Sequence, residues 1–126
     1  MGDPRHDLGL RAEQAAAAWL ERCGWWILAR RQRSPHGGEV DILALDPDGV
    51  LVALEVRARR SERAGQAGES VDARRVTRMR RTLAAFAATR ETRHAGLRVD
   101  LVTVEPMHGG PAGAWCVRRV PDIGAE

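Results

Sequence analysis

Three carboxylates lie within two short apolar runs of this sequence. Glu39 and Asp41 belong to the run EVDILAL, and Glu55 belongs to the run LVALEV. Two arginines, Arg57 and Arg59, follow the second run almost at once. Acidic residues are poor strand formers, and carboxylates held side by side repel each other unless a cation neutralises them. Closely spaced carboxylates are also the ligands of divalent metal ions such as Mg²⁺, so we take these residues as a candidate metal site.

The spacing predicts that Asp41 and Glu55 meet on a β-hairpin. The sequence DPDG between the two runs is a strong type I turn signal, which predicts strands over 38–46 and 50–58. With the turn centred near Asp48, position 41 lies opposite position 55 to within about one residue, and directly opposed Cβ atoms are ~5 Å apart.

Side chains alternate between the two faces of a strand, so the sequence also predicts which of them share a face. On the first strand the pairs that share a face are Glu39 with Asp41, and Val40 with Ile42. On the second strand the rule groups Glu55, Arg57 and Arg59. An ordinary solvated sheet face with arginine ion pairs would carry the same pattern. However, ILAL and LVAL are apolar on both faces, which favours a covered, central hairpin whose carboxylates need partners.

The elements around the hairpin follow from hydrophobic periodicity. Residues 8–22 are predicted to form an amphipathic helix with Asp7 as N-cap, Gly24 after its end and Glu13 at the border of the apolar stripe. The remaining predictions are a strand over 25–33, a mobile loop over 59–69, a helix over 71–89 capped by Ser70, strands over 96–105 and 114–120, and a frayed tail over 121–126. The order α-β-β-β-α-β-β predicts a mixed central sheet flanked by helices.

The second predicted helix lies in a strongly basic segment. Residues 57–98 contain twelve arginines and four acidic residues, a net charge of +8, and the chain has no lysine. Val76, Met79, Leu83, Phe86 and Ala87 form the apolar stripe of this helix, and Arg74, Arg78 and Arg81 fall on the opposite face. A basic segment beside an acidic cluster suggests a polyanion held near a cation site, and a solvated helix face is the alternative.

Length and composition indicate one domain over 1–126, with its core at about 8–120. The chain has 126 residues, of which 44% are hydrophobic, enough for one core. We find no apolar run of bilayer length and no signal-peptide pattern, so we expect a soluble cytoplasmic protein. Cys23 and Cys116 are expected as free thiols. If either Trp25 or Trp26 is exposed, it offers a surface for a homodimer.

The stretches AEQAAAAWLERCGWWIL, GEVDILALD, LVALEVRAR and LRVDLVTV resemble the YraN-like proteins, uncharacterised protein family 0102. The similarity covers almost the whole chain, from about Leu10 to Ile123. The resemblance implies the restriction-endonuclease-like three-layer fold of the PD-(D/E)xK nucleases, with a layout similar to Holliday-junction resolvases. It further implies a nuclease that uses Mg²⁺ or Mn²⁺ and acts on DNA.

The resemblance assigns roles to individual residues. Asp41 and Glu55 match the two acidic metal ligands of the motif, and Glu13 matches a helix glutamate that completes the site in resolvase-like members. Arg57 stands where the motif has a catalytic lysine. Arg59 and Arg75 match basic residues of the family. Glu39 matches the glutamate of the family's Gly-Glu sequence, which has no settled role. Arginine can stabilise phosphorane charge, but it cannot act as a general base.

Three functions therefore stand as hypotheses. The first is a metal-dependent nuclease acting on structured DNA, with Asp41, Glu55, Arg57 and Glu13 as catalytic residues. Its nucleic-acid ligands would be Arg59, Arg74, Arg75, Arg78 and Arg81. The second is a nucleic-acid-binding protein of the same fold that has lost catalysis. The third is a partner-binding domain without a nucleic-acid role, for which the four tryptophans would mark an interface.

Overall fold

The computed structural model describes residues 4–35, 37–59, 71–107, 109–111 and 113–124. The element order is α-β-β-β-α-β-β, as the sequence predicted. The elements are α1 (Pro4–Arg22), β1 (Trp26–Arg33), β2 (Glu39–Leu45), β3 (Leu51–Ala58), α2 (Ala73–Arg90), β4 (Leu97–Pro106) and β5 (Trp115–Val120).

The five strands form one sheet in the order β1-β2-β3-β4-β5. Every neighbouring pair is antiparallel except β3 and β4, which are parallel. A parallel pair needs a crossover connection, and α2 provides it. The predicted mixed sheet flanked by helices is thus confirmed, and the β2–β3 hairpin lies near its centre.

Each helix covers one face of the sheet with its own hydrophobic cluster. The cluster beneath α1 includes Ala12, Ala16, Leu20, Ile42, Ala44, Val52, Leu54, Val102 and Val104. The cluster beneath α2 includes Val40, Leu43, Leu51, Ala53, Val99 and all five residues of the predicted apolar stripe of α2. The central strands β2 and β3 are therefore buried on both faces, which the apolar runs ILAL and LVAL had indicated.

The helix ends differ from the predicted ones in two places. Because α1 begins at Pro4, Asp7 lies within its first turn and is not an N-cap. Gly24 follows the helix with φ of +89°, as predicted for a residue that ends a helix. The predicted cap of α2, Ser70, and residues 60–69 of the predicted loop lie outside the described residues. The cap observed is Asp72, whose side chain accepts a 2.7 Å hydrogen bond from the Arg74 backbone N–H.

The C-terminal segment is packed as far as residue 124, so the predicted frayed tail is wrong there. The Ile123 backbone N–H donates a 2.9 Å hydrogen bond to the Val99 carbonyl. Its side chain packs against the cluster beneath α2. The apolar side chain in an otherwise polar tail was the signal for this contact.

One residue of the tryptophan pair is buried and the other is exposed. Trp25 is 8% exposed and belongs to the cluster beneath α1, whereas Trp26 on edge strand β1 is 71% exposed. The homodimer contact stays a prediction. Cys23 and Cys116 are free thiols. Within the described ranges, the structure contains no helix that is long and apolar enough to cross a membrane.

Candidate functional site

Asp41 and Glu55 meet at the end of the β2–β3 ladder. The register pairs Ile42 with Leu54, so the next two positions outward are 41 and 55, as the sequence predicted. Their carboxyl groups lie within hydrogen-bonding reach of each other. The Val56 backbone N–H also donates a 2.8 Å hydrogen bond to Oδ2 of Asp41. We call Asp41 and Glu55 the carboxylate pair.

The strand is irregular at Asp41, and the predicted faces are wrong there. Val40 packs beneath α2 but Ile42 packs beneath α1, so the two do not share a face. The adjacent strand β1 is irregular at the same level, because Arg31 has φ of +53° between the paired residues 30 and 32. A left-handed residue rotates the chain and breaks strict alternation. On β3 the alternation is regular, and Glu55 points towards α2.

Burial and like charge keep a proton on the carboxylate pair. Burial, together with the neighbouring carboxylates Glu55 and Glu13, raises the pKa of Asp41 from its ordinary 3.8 to about 8, against the opposing hydrogen bond from Val56. Asp41 is therefore mostly protonated at neutral pH and can donate a hydrogen bond to Glu55. Two carboxyls that share one proton are typical of functional sites.

Glu55 keeps its charge because Arg75 binds it. Nε of Arg75 donates to Oε2 at 2.7 Å and Nη2 donates to Oε1 at 2.9 Å. Burial alone would raise the pKa of Glu55, but the hydrogen bonds from Arg75 and Asp41 and the charges of Arg75 and Arg57 hold it below its ordinary value. The forked contact is the strong bidentate form of an ion pair.

Glu13 lies close enough to act on the carboxylate pair but has its own partners. Its charge raises the pKa of Asp41. Oε2 of Glu13 accepts a 3.0 Å hydrogen bond from Nε of Arg31 and lies 3.8 Å from Nη2 of Arg30. The left-handed Arg31 thus ties α1 to β1 beside the carboxylate pair.

The other residues predicted on the hairpin border the same region. The charge of Arg57 acts on Glu55, and the catalytic role of Arg57 stays a prediction. The Glu39 backbone carbonyl accepts a 2.8 Å hydrogen bond from Nη2 of Arg75. The backbone N–H of Arg59 bonds to the Val104 carbonyl at 2.8 Å, which extends β3 by one residue.

Three arginines of α2 form an exposed surface that we call the basic face: Arg74, Arg78 and Arg81. Together with Ala73 and Thr77 they line an open groove. This face adjoins the carboxylate pair through the turn before β2. A β-carbon built on Gly38 would lie 3.4 Å from Nη1 of Arg75 and 3.9 Å from Nε of Arg78. Gly38 has φ of +84°, so it suits both the turn and the close approach.

Arg75 itself does not lie on the basic face, although it was predicted to be a nucleic-acid ligand. Its side chain is 25% exposed and its guanidinium points at Glu55. The sequence offered one signal for this position, since Arg75 directly precedes Val76 of the buried stripe. A role in nucleic-acid binding stays a prediction.

The carboxylate pair is a suitable donor set for Mg²⁺ or Mn²⁺. Both ions prefer oxygen ligands, and Mg²⁺ is commonly held by one or two carboxylates with substrate phosphates and water completing its shell. Asp41 and Glu55 lie close enough for each carboxyl group to shift the pKa of the other, so both could contribute oxygens to one ion. Across the part of the chain that the structure describes, no group of three or more His, Cys, Asp or Glu side chains could hold a metal ion. Glu13 therefore does not extend the pair to a three-residue cluster.

The structure contains a second polar cluster that the sequence pattern did not predict. Asp100 is fully buried and accepts hydrogen bonds from Nε of Arg98 at 2.8 Å and from Nη1 of Arg119 at 2.9 Å. Nη1 of Arg98 also donates to Oδ2 of Asp46 at 3.0 Å. We call these four residues the arginine network. The guanidinium carbons of Arg98 and Arg119 lie 5.9 and 5.2 Å from ring centroids of Trp25. Both arginines of the network therefore pack against an aromatic side chain in addition to forming ion pairs.

The chain is similar to proteins of one family. The model of "Uncharacterised protein family UPF0102" matches residues 12–104. A UPF0102 protein of Symbiobacterium thermophilum is 41% identical over 113 residues, which cover 90% of this chain and 92% of the relative. One from Bifidobacterium longum is 35% identical over 105 residues, covering 82% and 84%. One from Deinococcus radiodurans is 41% identical over 99 residues, covering 77% and 79%.

Proposed function

We propose that this chain, which belongs to the uncharacterised protein family UPF0102, is a metal-dependent nuclease that hydrolyses phosphodiesters in structured DNA. The observation that carries the proposal is the carboxylate pair, in which burial and like charge raise the pKa of Asp41 to about 8. A buried pair of acids that retains a proton costs stability, and a divalent cation would replace that proton. The resemblance to PD-(D/E)xK nucleases supports the same assignment.

Asp41 and Glu55 would hold Mg²⁺ or Mn²⁺ in this proposal. The ion, when bound, lowers the pKa of water and neutralises charge on a phosphate. Asp41 must lose its proton for this, so cation binding and deprotonation of Asp41 are coupled. Glu55 is already ionised because Arg75 and Arg57 hold its pKa below the ordinary value.

The neighbouring residues have separate roles in hydrolysis. In such a hydrolysis a water oxygen would bond to phosphorus and release one proton to the solvent, while the bond from phosphorus to one bridging oxygen breaks and the leaving oxygen takes up a proton from the solvent. Arg57 stabilises the charge that develops on the phosphate oxygens, as a forked donor can. Glu13 adds negative charge near Asp41 and strengthens the attraction for a cation.

The basic face would hold the DNA backbone. Arg74, Arg78 and Arg81 are exposed and line an open groove on α2. Arginines at phosphates release counterions, so binding should weaken strongly as salt rises. Arg59, which follows β3, would extend these contacts.

The test is a cleavage assay with branched and single-stranded DNA in Mn²⁺. We expect cleavage by the wild type and loss of at least about a hundredfold in Asp41→Ala, the order of effect seen when a catalytic electrostatic group is removed. Asp48→Ala is the matched control, because Asp48 lies in the exposed turn after the same strand. Equal cleavage by the wild type and Asp41→Ala would show that the site is wrongly assigned.

Arginine at position 57 favours a second candidate, a DNA-binding protein without catalysis. It predicts salt-sensitive DNA binding and no cleavage, even after Arg57→Lys restores the residue of the motif. If Arg57→Lys begins to cleave DNA while Arg57→Gln does not, the second candidate is excluded. Absence of DNA or RNA binding at low salt would instead favour the partner-binding domain.

A further inference from the structure

We propose that Arg75 is a positioning residue of the carboxylate pair and does not bind phosphate. This inference rests on the proposed metal site at Asp41 and Glu55. Arg75 holds the Glu55 carboxylate in one orientation, so that the oxygen sites left over face Asp41. Its effect on the cation is therefore indirect, through Glu55.

The contacts of Arg75 define the plane of the Glu55 carboxylate. Its two hydrogen bonds to Glu55, at 2.7 and 2.9 Å, engage both carboxylate oxygens. A third bond, from Nη2 to the Glu39 carbonyl at 2.8 Å, fixes the guanidinium itself. A carboxylate has about four lone-pair sites. Arg75 takes two of them, on different oxygens, and the contact with Asp41 takes another.

The backbone that carries Arg75 is held firmly. Arg75 lies in the first turn of α2, which Asp72 caps with a 2.7 Å hydrogen bond to the N–H of Arg74. The next residue, Val76, is 3% exposed and packs in the cluster beneath α2. Glu55 lies on the central strand β3. Both ends of the ion pair therefore belong to rigid elements, as a preorganised ligand requires.

The ion pair with Glu55 argues against phosphate binding by Arg75. To reach a phosphate, Arg75 would have to leave Glu55, which is 7% exposed. Breaking a buried ion pair leaves an uncompensated charge and is strongly unfavourable. Arg74 and Arg78 on the same helix are exposed and carry no such cost. Hydrogen-bonded partners of metal-ligating carboxylates orient them, and their loss typically weakens metal binding.

The first measurement is Mn²⁺ binding by calorimetry. We expect Arg75→Gln to weaken Mn²⁺ affinity by about tenfold to a hundredfold, the usual effect of removing such a partner. Arg75→Lys keeps the charge but loses the fork, so its affinity should lie between those of wild type and Arg75→Gln. Arg74→Gln, one residue away and exposed, is the matched control and should bind Mn²⁺ as the wild type does.

The second measurement is DNA affinity in EDTA as a function of salt. The slope of log affinity against log salt should not change in Arg75→Gln, whereas Arg74→Gln should reduce it by about one. A change of slope in Arg75→Gln with unchanged Mn²⁺ affinity would overturn the inference, as would tighter Mn²⁺ binding. If Arg75→Gln does not fold, Arg75→Lys provides the comparison.

The two proposals fail in different ways. Wild-type protein that binds no Mn²⁺ overturns both the metal site and the role of Arg75. Wild-type protein that binds Mn²⁺, with Arg75→Gln and Arg75→Lys binding it equally well, overturns the role of Arg75 and leaves the metal site standing.

Discussion

Asp41 lies near the start of β2 and Asp46 directly follows its end, and the pKa values of the two carboxyl groups shift in opposite directions. Burial raises the pKa of both. At Asp46 the backbone N–H groups of Val50 and Asp48 and the guanidinium of Arg98 outweigh burial and lower the pKa. At Asp41 the neighbouring carboxylates add to burial, and the pKa rises to about 8.

The same contrast separates the arginine network from the carboxylate pair. In the network, two carboxylates face two arginines, and Asp100 also accepts a 2.9 Å hydrogen bond from the Asp122 backbone N–H. Such a cluster connects β4, β5, the hairpin turn and the C-terminal segment. In the carboxylate pair, one forked arginine serves Glu55, and Asp41 retains a proton. The first arrangement stabilises the fold, whereas the second is the proposed cation site.

Replacing Asp100, in the arginine network, should have the largest effect on stability. We expect Asp100→Ala to lower the free energy of unfolding by about 3–5 kcal/mol, because two partly buried arginines lose their shared partner. Urea unfolding followed by circular dichroism measures it, with Asp48→Ala as the control. A loss below about 1 kcal/mol, the range of an exposed pair, would mean that the network contributes little to stability.

Replacing Asp41 should raise the free energy of unfolding at high pH, whereas replacing Asp100 should lower it. The folded state binds the Asp41 proton more tightly than the unfolded chain between the ordinary pKa of 3.8 and about 8. Its contribution to stability is therefore full below that window and is lost as pH rises through it. Asn cannot titrate, but it can still donate to Glu55 and accept from Val56.

In EDTA, Asp41→Asn and wild type should thus be similarly stable near pH 4. At pH 8.5, the variant should be more stable by several kcal/mol, because the contribution of the Asp41 proton falls by about 1.4 kcal/mol for each pH unit between the two pKa values. Urea unfolding at both pH values, with Asp48→Asn as the control, checks this. The groups that face Asp41 are Glu55 and Glu13, with Arg75 and Arg57 acting through Glu55. Parallel pH profiles for the two proteins would contradict the raised pKa.

Replacing Asp72, the N-cap of α2, should have a smaller effect on stability, and it tests whether the cap holds the helix turn that carries Arg75. Asp72→Ala should cost about 1 kcal/mol of stability, the usual value of a lost cap. Asp72→Asn keeps the acceptor oxygen and should cost only a few tenths of a kcal/mol. Thermal unfolding of the two variants distinguishes them. If they are equally destabilised, the cap hydrogen bond does not hold the turn that carries Arg75.

The basic face should show the smallest effect on stability. Arg78→Gln should change the free energy of unfolding by no more than about 0.5 kcal/mol, as for other exposed substitutions. Arg98→Gln in the arginine network is the contrasting variant and should destabilise clearly. A gel-shift series over salt should show that Arg78→Gln lowers the salt slope by about one. An unchanged slope would mean that this arginine does not contact phosphate.

Local sequence patterns predicted most of the fold. The apolar stripe of α2, the turn DPDG and the two apolar hairpin runs identified α2, β2 and β3 and their order. The turn also fixed the register, and register placed Asp41 beside Glu55. These features depend on residues close in sequence, for which side-chain periodicity and turn chemistry are sufficient.

The parts that the sequence did not predict depend on distant residues. Strand alternation failed at Asp41, at the level where the adjacent strand has the left-handed residue Arg31. The helix pattern did not reveal that Arg75 contacts Glu55, twenty residues earlier in the chain. The arginine network joins residues from the hairpin turn to the end of β5, and Ile123 finds its contact on β4.

The sequence by itself determined the order of the elements, the buried faces of the helices and the meeting of Asp41 with Glu55, because periodicity and a tight turn specify these locally. The tertiary structure alone decided which arginine forms an ion pair with each of four acidic residues. Arg75 serves Glu55, Arg31 serves Glu13, and Arg98 serves Asp46 and Asp100. Charge compensation depends on distance and burial in the folded protein, and residues far apart in sequence set both.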